Sequence, residues 1–242
     1  SPVYDAVEKK LVLQFVSLTK PADTKQMIST DHGRSWTSPR SICGAGGLDA
    51  AACGGAVGPG VGIQLRHGPK AGRLLFIGHY GAYGHDTVWF SDNHGASYEA
   101  ASANLTFMDE AQLVELPNGD VMANMRNKHH NPCDCRGVAV STDHGSTFGP
   151  VTYDPVLTSP VCAGTILRGP DDAIFFANPA SKTGRQDGVL RRSATGVHWD
   201  RQRTVFAGAY AYSCLTHVPD ASRIGLLWET DGPQCKRGAV SG

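Results

Sequence analysis

An eight-residue pattern that recurs three times constrains the fold of this chain more than any other feature. The copies read S-x-D/N-x-G-x-S/T-aromatic and occupy residues 29–36, 91–98 and 141–148, while a fourth segment, 193–199, keeps only the serine, the glycine and the aromatic residue. An Asp or Asn side chain folds onto nearby backbone, glycine permits a positive φ, and the aromatic ring packs back on the sheet. Each copy therefore predicts a tight turn between two antiparallel strands, with an architectural role.

The spacing of these turns predicts a repeating all-β architecture. Their central residues Asp31, Asn93 and Asp143 stand roughly 50 to 60 residues apart, which is the length of one four-stranded propeller blade. The segment Pro117–Asp120 reads Pro-Asn-Gly-Asp and predicts a hairpin turn. Short apolar or alternating segments bounded by turn residues predict strands over 11–17, 73–77, 87–90, 111–116, 121–125, 138–141, 173–177 and 224–228. No long segment has a convincing helical period, so we predict a β-propeller.

The charge balance limits the partners of such a protein. Lys and Arg together number 22, as do Asp and Glu, so the net charge is zero. A neutral chain lacks the basic surface of a nucleic-acid or anionic-membrane binder, and no stretch of about 18 apolar residues is present to span a membrane. Any anionic ligand must therefore be bound by a local cluster of arginines. Seven cysteines leave at least one thiol unpaired within this segment or paired outside it.

The repeat occurs in several classes of propeller, and other motifs narrow the choice. Residues 109–119 read DEAQLVELPNG and are followed by NMRN at 124–127. This block resembles the sialidase segment D-E-x-Q-x-x-E-L-P-D-G with its later N-x-R-N, and further matching segments follow in the family's order at 58–64, 159–164, 189–193, 211–215 and 227–229. The chain resembles the lysosomal-type and bacterial sialidases. This implies an exo-α-sialidase on a six-bladed β-propeller, here incomplete, with about four to five blades.

The resemblance also implies residues that bind the substrate. Sialic acid carries a carboxylate on its anomeric carbon, and planar guanidinium groups bind a carboxylate bidentately. Sialidases use three arginines for this purpose. By resemblance, Arg126 is the second-to-last of these arginines and Arg191 is the last. Arg192 is adjacent to Arg191, and its side chain is expected to face the other way on a strand.

A tyrosine nucleophile follows from the same carboxylate. An attacking Asp or Glu would meet a like charge beside the anomeric carbon, whereas a neutral phenol avoids that repulsion, as in sialidases. Tyr212 matches the family's nucleophile and Glu110 its partner base, which a phenol needs because its ordinary pKa is about 10. Glu229 matches the carboxylate that orients the first arginine of the triad.

That first arginine belongs to a Phe/Tyr-Arg-Ile-Pro motif which does not occur here, and the family's general acid is an Asp of the first blade. We therefore expect residues 1–242 to form a single propeller domain that lacks its first blade, with Ser1 near the start of the second blade and one more strand beyond Gly242. Alone, the segment is expected to hydrolyse natural sialosides weakly or not at all.

Other interpretations remain open at this stage. The repeat also suits a non-catalytic propeller that binds sialoglycans or sorts cargo, although such a module has no need of Glu110, Arg126, Arg191 and Tyr212 together. The segment 129–135 contains two His and two Cys, but adjacent histidines diverge in extended chain and Cys-x-Cys lacks the spacing of a zinc knuckle. We predict no metal and no cofactor. His32, His94 and His144 are predicted to be exposed turn residues.

The expected partner is a sialylated glycan, with no nucleic acid and with membrane contact only through glycolipid substrates, as in ganglioside catabolism. The sequon Asn104-Leu105-Thr106 is compatible with a lysosomal or secreted location. Linkage preference, oligomeric state and the choice between hydrolysis and sialyl transfer are not determined by the sequence.

Overall fold

The computed structural model describes residues 1–19, 22–49, 52–80, 84–130, 132–218, 223–230 and 239–241. The first sheet contains β1 (Pro2–Asp5), β2 (Lys10–Ser17), β3 (Asp23–Ser29) and β4 (Arg40–Ser41). The second contains β5 (Ala56–Val57), β6 (Ile63–Gln64), β7 (Leu74–Tyr80), β8 (His85–Ser91), β9 (Glu99–Ala100) and β10 (Leu105–Thr106). A short 3-10 helix spans Gly44–Gly46. The described part of the chain contains no helix long and apolar enough to cross a membrane.

Three more sheets follow in chain order. The third contains β11 (Met108–Glu115), β12 (Val121–Asn127), β13 (Cys135–Ser141) and β14 (Thr152–Thr158). The fourth contains β15 (Thr165–Arg168), β16 (Ile174–Pro179), β17 (Gln186–Ser193) and β18 (Arg201–Ala209). The fifth contains β19 (Ser213–His217), β20 (Ile224–Trp228) and β21 (Ala239–Ser241).

The sheets are antiparallel and adjoin one another as propeller blades do. In four of the sheets, strands that follow one another in the chain pair directly, whereas in the second sheet β7 pairs with β5, β6 and β8, and β8 pairs also with β9 and β10. A cavity of about 480 Å³ is lined by residues of β1, β6, β11, β15 and β19. Separate apolar cores fill the spaces between the first and second, second and third, third and fourth, and fourth and fifth sheets. The described strands form five sheets, so the prediction of an all-β propeller with four to five blades is confirmed.

Each of the eight predicted strands overlaps an observed one, but several observed strands are longer. β11 begins at Met108 rather than at residue 111, and β12 ends at Asn127 rather than at residue 125. The added residues include Asp109, Glu110 and Arg126, whose polar side chains do not read as part of an apolar strand. Polar strands such as β18 were not predicted for the same reason.

The predicted turns join β3 to β4, β8 to β9, β13 to β14 and β17 to β18. In the third sheet, Asp143 Oδ1 accepts hydrogen bonds from Ser141 Oγ at 2.7 Å and from Thr147 N at 2.8 Å. Ser141 Oγ in turn accepts from Gly145 N at 2.8 Å, and Gly145 has φ +83°. The turns around Asp31 and Asn93 repeat this arrangement. The backbone polar groups of each turn are therefore satisfied locally.

Two of these turns also bind the preceding sheet, which corrects the prediction for their histidines. His32 is exposed, whereas His94 and His144 are half-buried. His94 Nδ1 lies 2.9 Å from Asp5 Oδ2 of the first sheet. The carbonyl of His144 accepts a hydrogen bond at 3.0 Å from Arg73, a buried residue of the second sheet. The sequence could not predict this burial, because the contacts join residues 71 and 89 positions apart.

Candidate active site

Antiparallel pairing in the third sheet brings Glu110 and Arg126 to the same end. β11 begins where β12 ends, and Asp109 is paired with Arg126 across the two strands. A β-bulge follows Asp109, as the register shifts before Ala111. We call this end of the sheets the site end, and the end that carries the eight-residue turns the turn end.

Tyr212, which immediately precedes β19 of the fifth sheet, completes the cluster. Its hydroxyl donates a hydrogen bond of 2.6 Å to Glu110 Oε1. The second oxygen of Glu110 accepts a hydrogen bond from Arg126 Nη1, which also lies 3.5 Å from the Tyr212 hydroxyl oxygen. Arg126 Nε lies 3.2 Å from Oδ2 of the fully buried Asp109. A phenol, its proton acceptor and a guanidinium therefore share one contact network.

The electrostatics of the cluster keep the phenol protonated. Burial, together with the hydrogen bond and charge of Glu110, raises the pKa of Tyr212 to about 12, although Arg126 and Arg185 act in the opposite direction. Burial acts against the charge of Arg126, but the hydrogen bond and charge of Glu110 still raise the pKa of this guanidinium. At neutral pH the Tyr212 hydroxyl therefore keeps its proton and donates a hydrogen bond to Glu110, which is positioned to accept that proton in a reaction.

Two further charged residues flank Tyr212. The guanidinium carbon of Arg185 lies 5.3 Å from the centre of the Tyr212 ring. Glu229 is exposed, and its Oε2 accepts a hydrogen bond of 3.4 Å from the Tyr212 backbone N–H. Glu229 N donates to the Tyr212 carbonyl at 2.9 Å. The cluster therefore presents two guanidinium groups, those of Arg126 and Arg185, beside one phenol.

Comparison with known proteins gives the family of this chain. Residues 2–226 match the family model of the BNR repeat-like domain. The chain is 37% identical over 230 residues to a sialidase of Micromonospora viridifaciens, in an alignment that covers 87% of this chain and 35% of that protein. The chain belongs to the sialidase family. The anhydrosialidase of Macrobdella decora is 32% identical over 198 residues, which cover 72% of this sialidase chain and 25% of the leech protein.

A solved structure agrees with the fold of this sialidase chain. The Hadza microbial sialidase Hz136 superposes with a TM-score of 0.76 at 24% identity, over 95% of this chain and 49% of that one. This likeness supports the propeller fold. The aligned part of the chain spans 35% of the length of the Micromonospora sialidase and 25% of the length of the leech protein.

Arg191 does not lie in the cluster of this sialidase chain, contrary to the sequence-based expectation. It stands near the end of β17, two residues before Ser193, where the fourth turn begins. Its side chain is 4% exposed, and Nη1 donates a hydrogen bond of 3.0 Å to Asn178 Oδ1. Because β17 runs from the site end to the turn end, a residue this far along it is carried away from Tyr212.

Arg185 was not predicted, although a topological signal was available. It immediately precedes β17, which begins at the site end, as β13 does in the third sheet. An arginine in the loop before this strand is thus placed near Glu110, whereas Arg191 is not. The resemblance in the segment 189–193 pointed to Arg191, which contacts Asn178, rather than to Arg185, which lies beside the Tyr212 ring.

A layer of buried charge beneath the cluster was also missed. Arg136 of β13 is fully buried, and Asp86 of β8 is 3% exposed with neither carboxyl oxygen hydrogen-bonded. Burial lowers the pKa of Arg136 to about 10. Burial, followed by repulsion from Asp109, raises the pKa of Asp86 well above its ordinary value. Single charged residues within strands give no sequence signal for such a layer.

The loop between β12 and β13 carries the histidines and cysteines that were considered as metal ligands. Cys133 and Cys135 form a disulfide, as do Cys43 and Cys53, and His130 contacts the Asp134 carboxylate. Cys162 and Cys214 are free thiols, in agreement with the predicted unpaired cysteine. Asn131 and Cys235 lie outside the described residues.

Proposed function

We propose that this chain carries the nucleophile and part of the carboxylate-binding site of an exo-α-sialidase, which releases terminal sialic acid from sialylated glycans. The observation that carries the proposal is the 2.6 Å hydrogen bond from Tyr212 to Glu110, two residues that lie 102 positions apart in the sequence and come from different sheets. A tyrosine that only fills a core has no need of a carboxylate partner and two adjacent guanidinium groups.

In the proposed first step, Glu110 accepts the phenol proton as the Tyr212 oxygen attacks the anomeric carbon. A bond forms between this carbon and the Tyr212 oxygen, and the glycosidic carbon–oxygen bond breaks. The leaving oxygen takes a proton from an acid that we do not assign within this chain. In the second step, water attacks the same carbon and the bond between this carbon and the Tyr212 oxygen breaks. The conjugate base of that acid accepts the water proton, and Glu110 returns its proton to the released Tyr212 oxygen.

Arg126 and Arg185 are proposed to bind the substrate carboxylate. Both guanidinium groups lie beside Tyr212, at 3.5 Å from its oxygen and 5.3 Å from its ring centre. Bidentate hydrogen bonds from guanidinium to carboxylate fix the sugar so that its anomeric carbon faces the phenol. Glu229 stays a predicted positioning residue for a further arginine, and Arg191 is not included in this proposed site.

The proposal is tested by ligand-dependent thermal stability. At a hundred times its Kd, 2-deoxy-2,3-didehydro-sialic acid is expected to raise the Tm of the wild-type chain by about 5 °C or more. Arg126→Ala and Arg185→Ala should reduce this shift strongly, because each removes a guanidinium from the carboxylate. The matched control is Arg192→Ala, since Arg192 binds the exposed carboxylate of Asp171 at 2.7 Å, on the opposite face of β17 from Arg191. A ligand-induced shift that survives both site substitutions contradicts the proposal and favours a binding module of another kind.

We further propose a lysosomal or secreted location. Two disulfides are compatible with an oxidising compartment, and Asn104 of the sequon is exposed. A shift in mass after treatment with an N-glycosidase, lost in Asn104→Gln, would support passage through a glycosylating secretory pathway. An unmodified Asn104 in protein from its native source would remove this support.

A further inference from the structure

The guanidinium of Arg136 lies beneath the cluster and contacts the segments that carry the proposed catalytic residues. Its Nε donates a hydrogen bond of 2.8 Å to Asn124 Oδ1, two residues before Arg126 on β12. Its Nη1 donates at 2.7 Å to the carbonyl of Cys162, in the segment that leads into β15 of the fourth sheet. Its Nη2 lies 3.5 Å from the carbonyl of Glu110 itself. One guanidinium thus connects β11, β12 and the fourth sheet directly beneath the cluster.

The charges around Arg136 are unusual for a buried arginine. Within the described residues, no carboxylate oxygen forms an ion pair with it at 4.0 Å or less. Its charged and titratable neighbours are Glu110 on β11, Arg126 on β12, Asp86 on β8 and the thiol of Cys162, and its side chain also lies over the Phe176 ring at 5.8 Å. A fully buried cation without a direct partner is costly unless nearby anions need its charge.

Arg136 offsets part of the negative charge at this end of the sheets. Asp86, Asp109 and Glu110 contribute three carboxyl groups here, whereas Arg126 contributes one guanidinium to them and His79 Nε2 lies 4.0 Å from Asp109 Oδ1. Arg136 adds a further guanidinium. Because these groups lie close together, the loss of one cation is felt by the whole set.

We propose that Arg136 is a positioning residue for Glu110 and Arg126, and that its buried charge offsets the repulsion among the carboxyl groups of Asp86, Asp109 and Glu110 at the site end. The part of this inference that concerns the reaction rests on the proposed sialidase function. The electrostatic part does not, since it concerns the unliganded chain.

Arg191 provides a matched control. Both arginines are buried third-strand residues between the third and fourth sheets, at 0% and 4% exposure. Arg191, however, hydrogen-bonds the neutral side chain of Asn178, has Asp154 of β14 as its charged neighbour and lies toward the turn end, so its loss removes packing and a hydrogen bond without disturbing the carboxyl groups of the site end. Arg136→Met and Arg191→Met are therefore expected to cost similar packing but to differ in their dependence on pH.

The first measurement is Tm of the full chain, without ligand, at about pH 5 and about pH 8. Arg136→Met should lose about 3 °C more at the higher pH, equivalent to roughly one pKa unit of lost coupling, because the raised pKa of Asp86 lets this group gain charge between the two pH values and Arg136 favours its charged form. Arg191→Met should lose the same amount at both pH values. Equal, pH-independent losses in the two variants would overturn the proposal, whether or not the chain binds a sialoside.

The second measurement uses Arg136→Lys and 2-deoxy-2,3-didehydro-sialic acid. Lysine keeps the charge but not the forked donors to the two carbonyls, so this variant should keep the wild-type pH dependence of Tm and bind the analogue several-fold more weakly. It also keeps the proposal testable if Arg136→Met does not fold. Arg136→Lys with wild-type affinity would overturn the positioning role. Failure of the wild-type chain to bind the analogue would count against the proposed function and leave the thermal test unaffected.

Discussion

The two ends of β8 place an aspartate in opposite electrostatic environments. At the site end, burial and then repulsion from Asp109 raise the pKa of Asp86 well above its ordinary value. Just beyond the turn end, a hydrogen bond from Arg73 lowers the pKa of Asp92 to about 2, although burial acts against it, and Lys70 contributes further. The two aspartates stand six positions apart in the chain, and one has an unpaired, buried carboxyl group whereas the other has a paired, partly exposed one.

This difference indicates that the turn end contributes more to the stability of the fold than the site end does. At the turn end, polar atoms find partners within a few residues or in the neighbouring sheet, as Asp143 and Arg73 do. At the site end, like charges are held together and Asp86 has buried oxygens without a hydrogen-bond partner. Such an arrangement is costly for folding, and it is typical of functional sites, where groups with perturbed pKa values are concentrated.

The largest effect that we expect concerns Arg73, which anchors the turn end. Its guanidinium is 2% exposed, binds both oxygens of Asp92 at 2.6 and 2.8 Å, and also binds Ser146 Oγ at 2.7 Å. Arg73→Met should lower the free energy of unfolding by about 2 kcal/mol, because it breaks an ion pair between a buried guanidinium and a partly exposed carboxylate, and also a contact between sheets. The loss is measured by urea denaturation.

Lys70→Met is the control for Arg73, since Lys70 also binds Asp92 but is 44% exposed, and it should change stability by less than about 1 kcal/mol. If the turn end contributes to stability and not to ligand binding, neither substitution alters the affinity of the folded chain for the sialic acid analogue. Weaker analogue binding by Arg73→Met, measured well below its melting temperature, would contradict this separation of roles between the two ends.

A smaller, pH-dependent effect compares the two aspartates directly. The folded-state pKa of Asp86 is raised, so this group favours folding at low pH, and that contribution is lost as the pH rises above the ordinary value of about 3.9. Asp86→Asn cannot ionise, so its Tm should rise relative to wild type with increasing pH, by a few degrees at about pH 8. The measurement is Tm across the pH range in matched buffers.

Asp92 should show the opposite sign. Its lowered pKa means that its stabilising contribution is present above about pH 4 and is lost as the pH falls toward about 2. Asp92→Asn should therefore be less stable than wild type near neutral pH and approach it in acid. Parallel pH dependences for the two variants would show that the site end and the turn end are electrostatically alike.

The sequence predicted the parts of this molecule that depend on local pattern. The turn around Asp143 follows from residues within one octapeptide, and Tyr212, Glu110 and Arg126 lie in motifs that resemble those of a known family. The all-β fold follows from the spacing of the turns. For these features the determining residues are adjacent in the chain or arranged at a fixed spacing.

The features that the sequence did not predict depend on contacts between sheets. Whether Arg185 or Arg191 lies beside Tyr212 is decided by which end of β17 each occupies, and this requires the strand direction. The burial of Asp86 and Arg136 depends on sheets that pack over them. His94 and His144 are half-buried for the same reason, since their turns bind the preceding sheet.

The most direct test of the central claim is covalent trapping of Tyr212 with 2,3-difluorosialic acid, followed by peptide mass spectrometry. Fluoride leaves without being protonated, so the trap needs only the groups assigned here: the Tyr212 oxygen bonds to the anomeric carbon, the carbon–fluorine bond breaks, and Glu110 takes the phenol proton. We predict one fluorosialyl adduct on the peptide that contains Tyr212, absent from Tyr212→Phe and strongly reduced in Arg126→Ala. An adduct on another residue, or labelling that persists in Tyr212→Phe, would contradict the account.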